Sequence, residues 1–219
     1  MIRYWTADLH LGHYSKNGGI IAFANRPFRD KNHMNARLIA NANEKVKSED
    51  ACVHVGDFCI RTNKVKSQEW QDQLQGHWVF LWGNHDKNNG TKTVGLSMFA
   101  RISHFTVFVG HIPYFYEEWY DADFRNYIER KCDFAICGHV HNSWKYHLGV
   151  IPTINVGVDV WDYRPVSDDQ LIALYGKLKG LKKKCKECGG WRQPIKGELP
   201  FKDDDQWVCS RCHPSVKEK

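Results

Sequence analysis

Five short blocks carry residue types that bind metal ions or move protons: Asp8-Leu9-His10, Gly56-Asp57, Gly83-Asn84-His85-Asp86, Gly110-His111 and Gly138-His139-Val140-His141. Mixed carboxylate, amide and imidazole donors suit manganese, iron, zinc or cobalt, and imidazole also passes protons near neutral pH. Any one block occurs by chance in many chains. These five share a position: each ends an apolar run that reads as a β-strand, and strand ends in α/β sheets meet on one rim where sites are built. The preceding glycines permit sharp turns and let the backbone approach a bound group. A second constellation, Cys185-x2-Cys188-x20-Cys209-x2-Cys212, has the two-knuckle spacing of a structural zinc site. Four thiolates close a tetrahedral shell and leave no open position for catalysis.

The elements that must position these residues alternate. Strands are predicted over 2–8, 51–55, 77–82, 101–109, 133–137 and 153–158, and helices over 32–47, 65–74, 122–131 and 167–176. In the first long helix Met34, Leu38, Ile39, Ala42 and Val46 share a face, with Asp30 or Asn32 placed to cap it. Such alternation indicates a layered α/β fold. We divide the chain into a main domain, 1–176, and a basic linker with a zinc module, 177–219. A tail of roughly 35–45 residues holds no stable core without a staple, which the four cysteines supply.

Charge divides at the same place. Residues 1–176 carry 19 Lys+Arg against 19 Asp+Glu, and residues 177–219 carry 12 against 6, so the net +6 lies wholly in the tail. A basic tail suits an acidic partner such as nucleic acid, or simply keeps a protein soluble. The chain lacks a long apolar run and a secretory signal pattern, so a membrane span is not expected and the cytoplasm is the expected compartment. Cys52, Cys59, Cys132 and Cys137 lie in apolar stretches and read as buried thiols. His54 and His77 lie inside strands and read as structural, as do His33, His104, His147 and His213.

The five blocks, in this order, resemble the calcineurin-like metallophosphoesterase superfamily. Thr6-Ala7-Asp8-Leu9-His10-Leu11-Gly12-His13, Arg26-Pro27-Phe28 and Asn155-Val156-Gly157-Val158-Asp159 are similar to stretches of its small phage and bacterial members. The resemblance implies a four-layer α/β/β/α sandwich and a dinuclear centre. Asp8, His10 and His141 would hold one ion, Asn84, His111 and His139 the other, and Asp57 would bridge them. His85 would act on the leaving-group oxygen, with Asp86 orienting it. Two divalent ions about 3.5–4 Å apart activate a water and neutralise phosphoryl oxygens. The tail, in turn, resembles a zinc ribbon.

Substrate contacts are expected from the loop between Leu11 and Asp30, which carries Lys16, Arg26 and Arg29 with Tyr14, Phe23 and Phe28. Guanidinium groups grip phosphate and aromatic rings stack on bases. Arg26, Lys16 and His13 are the named candidates. The leading expectation is a phosphodiesterase acting on nucleotides or nucleic acid. A phosphomonoesterase for a small metabolite or phosphoprotein is a second reading, and a scaffold that binds proteins through its zinc ribbon is a third. Oligomeric state is not legible in the sequence.

Overall fold

The computed structural model describes residues 1–60, 66–180, 183–184 and 191–192. Parallel strands β1 (Arg3–Thr6), β2 (Ala51–Val55) and β3 (His77–Leu81) form one sheet in the order β3-β2-β1, to which β9 (Val166–Ser167) adds antiparallel to β1. A second sheet contains β4 (Ser97–Ile102), β5 (Phe105–Gly110), β6 (Phe134–Cys137), β7 (Tyr146–Leu148) and β8 (Pro152–Asn155) in the order β4-β5-β6-β8-β7. Its three middle strands, β5, β6 and β8, are parallel to one another, while the edges β4 and β7 are antiparallel. Helices are α1 (Gly19–Phe23), α2 (Lys31–Lys45), α3 (Ser67–Gln71), α4 (Ala122–Lys131) and α5 (Asp168–Gly180), with a 3-10 turn at Val158–Val160.

Strand alternation explains the layers. Trp5, Ala7, Val53, Val55 and Leu81 of the first sheet pack against Ile102, Val107, Val109, Phe134, Ile136 and Ile154 of the second, with Leu171, Tyr175 and Leu178 of α5 joining this core. On the outer side of the first sheet, Met34, Leu38 and Ile39 of α2 pack on Phe58 and Phe80. On the outer side of the second, Ile128 of α4 packs on Phe108 and Ala135. The helices begin where their caps dictate: Asp30 accepts a hydrogen bond from the His33 amide at 2.8 Å and Asp121 from Phe124 at 2.8 Å. Among the described residues no helix is long and apolar enough to cross a membrane.

The strand expected over 101–109 is a hairpin, β4 and β5, that turns at Ser103-His104, where Ser103 has φ 54°. Apolar residues on both sides of that turn, and the lack of glycine in it, hide the break. Helix α3 is shorter than expected. The strand expected at 153–158 ends at Asn155, after which Gly157 bridges to Ala7 and links the two sheets at the rim. Cys52, Cys59, Cys132 and Cys137 are free and buried. Cys185, Cys188, Cys209 and Cys212 lie outside the described residues. Lys183–Lys184 and Trp191–Arg192, which flank Cys185 and Cys188 in sequence, form an antiparallel pair.

His54 is fully buried between Phe58 and Phe80, at ring separations of 5.3 and 5.8 Å, and neither ring nitrogen has a hydrogen-bond partner among the described residues. Burial pushes its pKa down to about 3 from 6.5. Between those values the unfolded chain takes up a proton that the folded protein refuses, so stability falls as pH drops below about 6.5. His54→Leu removes this term. The stability difference between variant and parent should shift in the variant's favour by about 2 kcal/mol from pH 7 to pH 5. Urea midpoints at the two pH values measure it, and an unchanged difference would refute the assignment.

Candidate metal centre

Every ligand-type residue follows the C-terminal end of a parallel strand. Asp8 and His10 follow β1, Asp57 follows β2, Asn84 and His85 follow β3, His111 follows β5, and His139 and His141 follow β6. Two triads have donor atoms within 4.8 Å of one another: Asp8, His10 and His141, and Asp8, Asp57 and His111. Asn84 Oδ1 lies 3.1 Å from His111 Nε2 and 3.0 Å from His139 Nδ1. Asp57 Oδ2 lies 3.2 Å from His111 Nε2 and 3.5 Å from His10 Nε2, between the two groups. Ligands about 2.1 Å from a common ion at right angles stand about 3 Å apart, so these spacings fit an ion.

The donor chemistry fits as well. His10 is 1% exposed, yet both its ring nitrogens lack a hydrogen-bond partner among the described residues. Unlike His54, which lies among Phe58 and Phe80, His10 has the Asp8 and Asp57 carboxylates 3.9 and 3.5 Å from Nε2, a setting that suits a cation. Burial works to lower the His111 pKa, but the Asp57 carboxylate overcomes it and raises the group to about 9; Asp57 is held low in return, against its own burial. Asp57 and His111 would hold a divalent ion in place of that proton, and binding would then release it. Burial pushes the Asp8 carboxyl up to about 6, and His139 down to about 4.

The backbone around the donors is contorted. Asp8, His10, Asp57, His139 and His141 all have positive φ, between 46° and 70°. Each costs a non-glycine residue roughly 1 kcal/mol, and the surrounding bonds hold it there. Asp8 N–H donates to the Gly56 carbonyl at 3.1 Å, and His10 N–H to the Asp57 carbonyl at 3.0 Å. His139 N–H donates to both Asp8 carboxylate oxygens, at 3.1 and 3.0 Å, stitching the second sheet to the first. Two glycines are obligatory here. A Cβ on Gly83 would lie 2.2 Å from Asp57 N, and one on Gly56, at φ 85°, 2.5 Å from His111 Nδ1.

Partners behind the donors select their tautomers. His111 Nδ1 donates to the Val55 carbonyl at 2.9 Å, leaving Nε2 for Asp57 and Asn84. His141 Nδ1 meets Asp159 Oδ2 at 2.9 Å, freeing Nε2. Asn155 donates to the carbonyls of His141 and Trp144, at 2.8 and 2.9 Å, and fixes the loop between them. Neither Asp159 nor Asn155 stands among the site residues read from sequence, although both fall in the stretch 155–159.

The remaining sequence-derived candidates are distributed around this cluster. His85 is exposed on the rim, its ring 5.3 Å from that of His10. His13 is half-buried, 5.5 Å from His10 and 6.5 Å from His85. Lys16 is exposed in the loop above. Two expectations require correction. Arg26 does not face the rim: it is buried, and its guanidinium bonds Asp159 and the carbonyls of Asp8 and Leu9. Asp86 does not orient the His85 ring. Its carboxylate accepts the backbone N–H groups of Asp57, Phe58 and Gly83, at 2.7, 3.0 and 2.9 Å, and the Asn89 amide at 2.7 Å.

Comparison with known proteins agrees with this geometry. Residues 31–164 match the calcineurin-like phosphoesterase superfamily domain. An uncharacterised protein of Methanocaldococcus jannaschii is 32% identical over 184 residues, covering 80% of this chain and 92% of that protein. The crystal structure of a protein of unknown function from Aquifex aeolicus superposes with a TM-score of 0.58 at 25% identity, over 79% of this chain and 98% of that one. From the match over residues 31–164 and the archaeal relative together, the chain belongs to the calcineurin-like phosphoesterase superfamily.

Proposed function

We propose that the protein is a dinuclear metal-dependent phosphodiesterase acting on nucleotides or nucleic acid. One observation carries the reading: the donors of Asp8, His10, Asp57, Asn84, His111, His139 and His141 converge from both sheets, under a rim that bears an exposed imidazole. Asp57 would bridge, Asp8, His10 and His141 would complete one position, and Asn84, His111 and His139 the other. Bound divalent ions supply Lewis acidity and a nucleophile at neutral pH. The chain does the rest. His85, free of the cluster, protonates the departing alkoxide, and His13 lies beside it to contact a phosphoryl oxygen.

Diester and nucleoside preference rests on the aromatic rims. Phe23 is 77% exposed, its ring 5.5 Å from that of His141, and Tyr116 lies 6.2 Å from His139. The main chain holds Phe23 in place, because Asn142 donates to the adjacent Ala24 carbonyl at 2.9 Å. A phenyl ring exposed beside the reacting centre, on an anchored backbone, offers a platform for a base. Phe23→Ala should lower kcat/KM for thymidine 5′-p-nitrophenyl phosphate about tenfold relative to methyl p-nitrophenyl phosphate. An unchanged ratio would remove Phe23 from the site. Lys16 and the basic tail would add contacts to the backbone of a longer substrate. The tail's four cysteines would hold one structural zinc, which metal analysis of the full chain against a chain ending at residue 180 decides.

Hydrolysis of bis-p-nitrophenyl phosphate against p-nitrophenyl phosphate, with manganese added, tests the main claim. Diester turnover supports it. Turnover of the monoester alone makes the protein a phosphomonoesterase, and turnover of neither, with no metal bound, leaves a scaffold.

A further inference from the structure

Arg26 carries a positive charge into the interior, where desolvation is costly unless every donor is used. Its Nε meets Asp159 Oδ1 at 2.7 Å and its Nη2 meets Asp159 Oδ2 at 3.0 Å, the two-pronged pairing that only guanidinium provides. Nη2 also donates to the Asp8 carbonyl at 2.6 Å, Nη1 to the Leu9 carbonyl at 3.2 Å, and the Met34 sulfur lies 3.4 Å from Nη1. The same Asp159 Oδ2 receives His141 Nδ1 at 2.9 Å. One side chain therefore touches the backbone of Asp8, whose φ of 59° it helps hold, and through one carboxylate it sets the ring of His141.

These contacts weigh on one metal position more than on the other, which they reach only through Asp8, whose carboxylate also lies near Asp57 and His111 and accepts the His139 N–H. Asp8 and His141 are touched through Arg26 and Asp159, and His10 only through the neighbouring Leu9 carbonyl, whereas His111 is oriented by the Val55 carbonyl and meets Asn84 directly. Arg26 itself is held by the loop that crosses the rim: its N–H donates to the Ile21 carbonyl at 2.8 Å, and its own carbonyl accepts from Phe28 at 2.8 Å. That loop is far in sequence from Asp159, and its seating and the shape of this position are one structural event.

We propose that Arg26, acting through Asp159, is the positioning residue for the metal position formed by Asp8, His10 and His141, and that this position depends on it more than the other does. The inference rests on the dinuclear reading above. Calorimetric titration of the full chain with Mn²⁺, an ion that thiolates disfavour, tests both separately. The parent should bind two ions; if it binds none, the dinuclear reading itself fails. Arg26→Lys and Asp159→Asn should each weaken one ion by about 10–100-fold and the second by clearly less. Lysine keeps the charge and loses the fork, so it should not restore binding, whereas added guanidinium should restore it in Arg26→Gly. If the Arg26 variants do not fold, Asp159→Asn decides, since it preserves shape and the Arg26 contact at one oxygen. Two ions at parental affinity in Asp159→Asn, or equal weakening of both, would overturn the proposal.

Discussion

Asp57→Asn should cost about 10³-fold in kcat/KM toward a phosphodiester, equivalent to ~4 kcal/mol of transition-state stabilisation. The substitution keeps the shape and can keep one acceptor, Oδ1, which receives the His85 N–H at 2.8 Å. It changes the other atom. Oδ2 lies between His111 Nε2 and His10 Nε2, at 3.2 and 3.5 Å, so one carboxylate oxygen serves both metal positions. An amide there offers either a neutral oxygen or an N–H aimed at two nitrogens that need their lone pairs for a cation. Steady-state kinetics with a parallel metal titration measure the effect. Activity within tenfold of the parent would mean that Asp57 does not bridge.

Asp86→Ala should act on stability instead, by about 4 kcal/mol in urea unfolding. Its carboxylate satisfies three backbone N–H groups, those of Asp57, Phe58 and Gly83, together with the Asn89 amide. Removing it orphans buried donors at roughly 1–3 kcal/mol each, a large share of a typical domain's ~5–15 kcal/mol. His85→Ala is the contrast: the residue is exposed, so stability should hold while the rate falls by about 10²–10⁴-fold. A variant lacking Asp86 that unfolds like the parent but loses rate would restore the role the family resemblance implies.

The residues that converge at the rim are legible because their signal is local: a donor type, a glycine, and a strand end within a few residues. The helix caps at Asp30 and Asp121 belong to the same class of short-range evidence, although only the first was foreseen. What escaped is long-range. Arg26 lies 133 positions before Asp159, and no local pattern tells a guanidinium that grips phosphate from one that grips a buried carboxylate. Asp86 likewise stands next to His85 in sequence, while its bonds run back to residues 57 and 58. The strand expected over 101–109 takes in Arg101 and Ile102 of β4 but not its start, because Phe99, on an edge, is exposed and blurs the alternation with Ala100 and Ile102. The masking effect of an edge strand also explains why β7 went unread.

The donor set is split between the sheets: Asp8, His10, Asp57 and Asn84 come from one, and His111, His139 and His141 from the other. On the dinuclear reading each position draws donors from both halves, so an ion bound here would be a rivet through two plates. Whatever loosens the plates must loosen the rivet, and the coupling runs both ways. Shaving a methyl group from the seam, as in Ile136→Val, should therefore register first as weaker ion binding, well before the protein unfolds. In such a protein the affinity for metal would be a gauge of how tightly two packed sheet faces are pressed together.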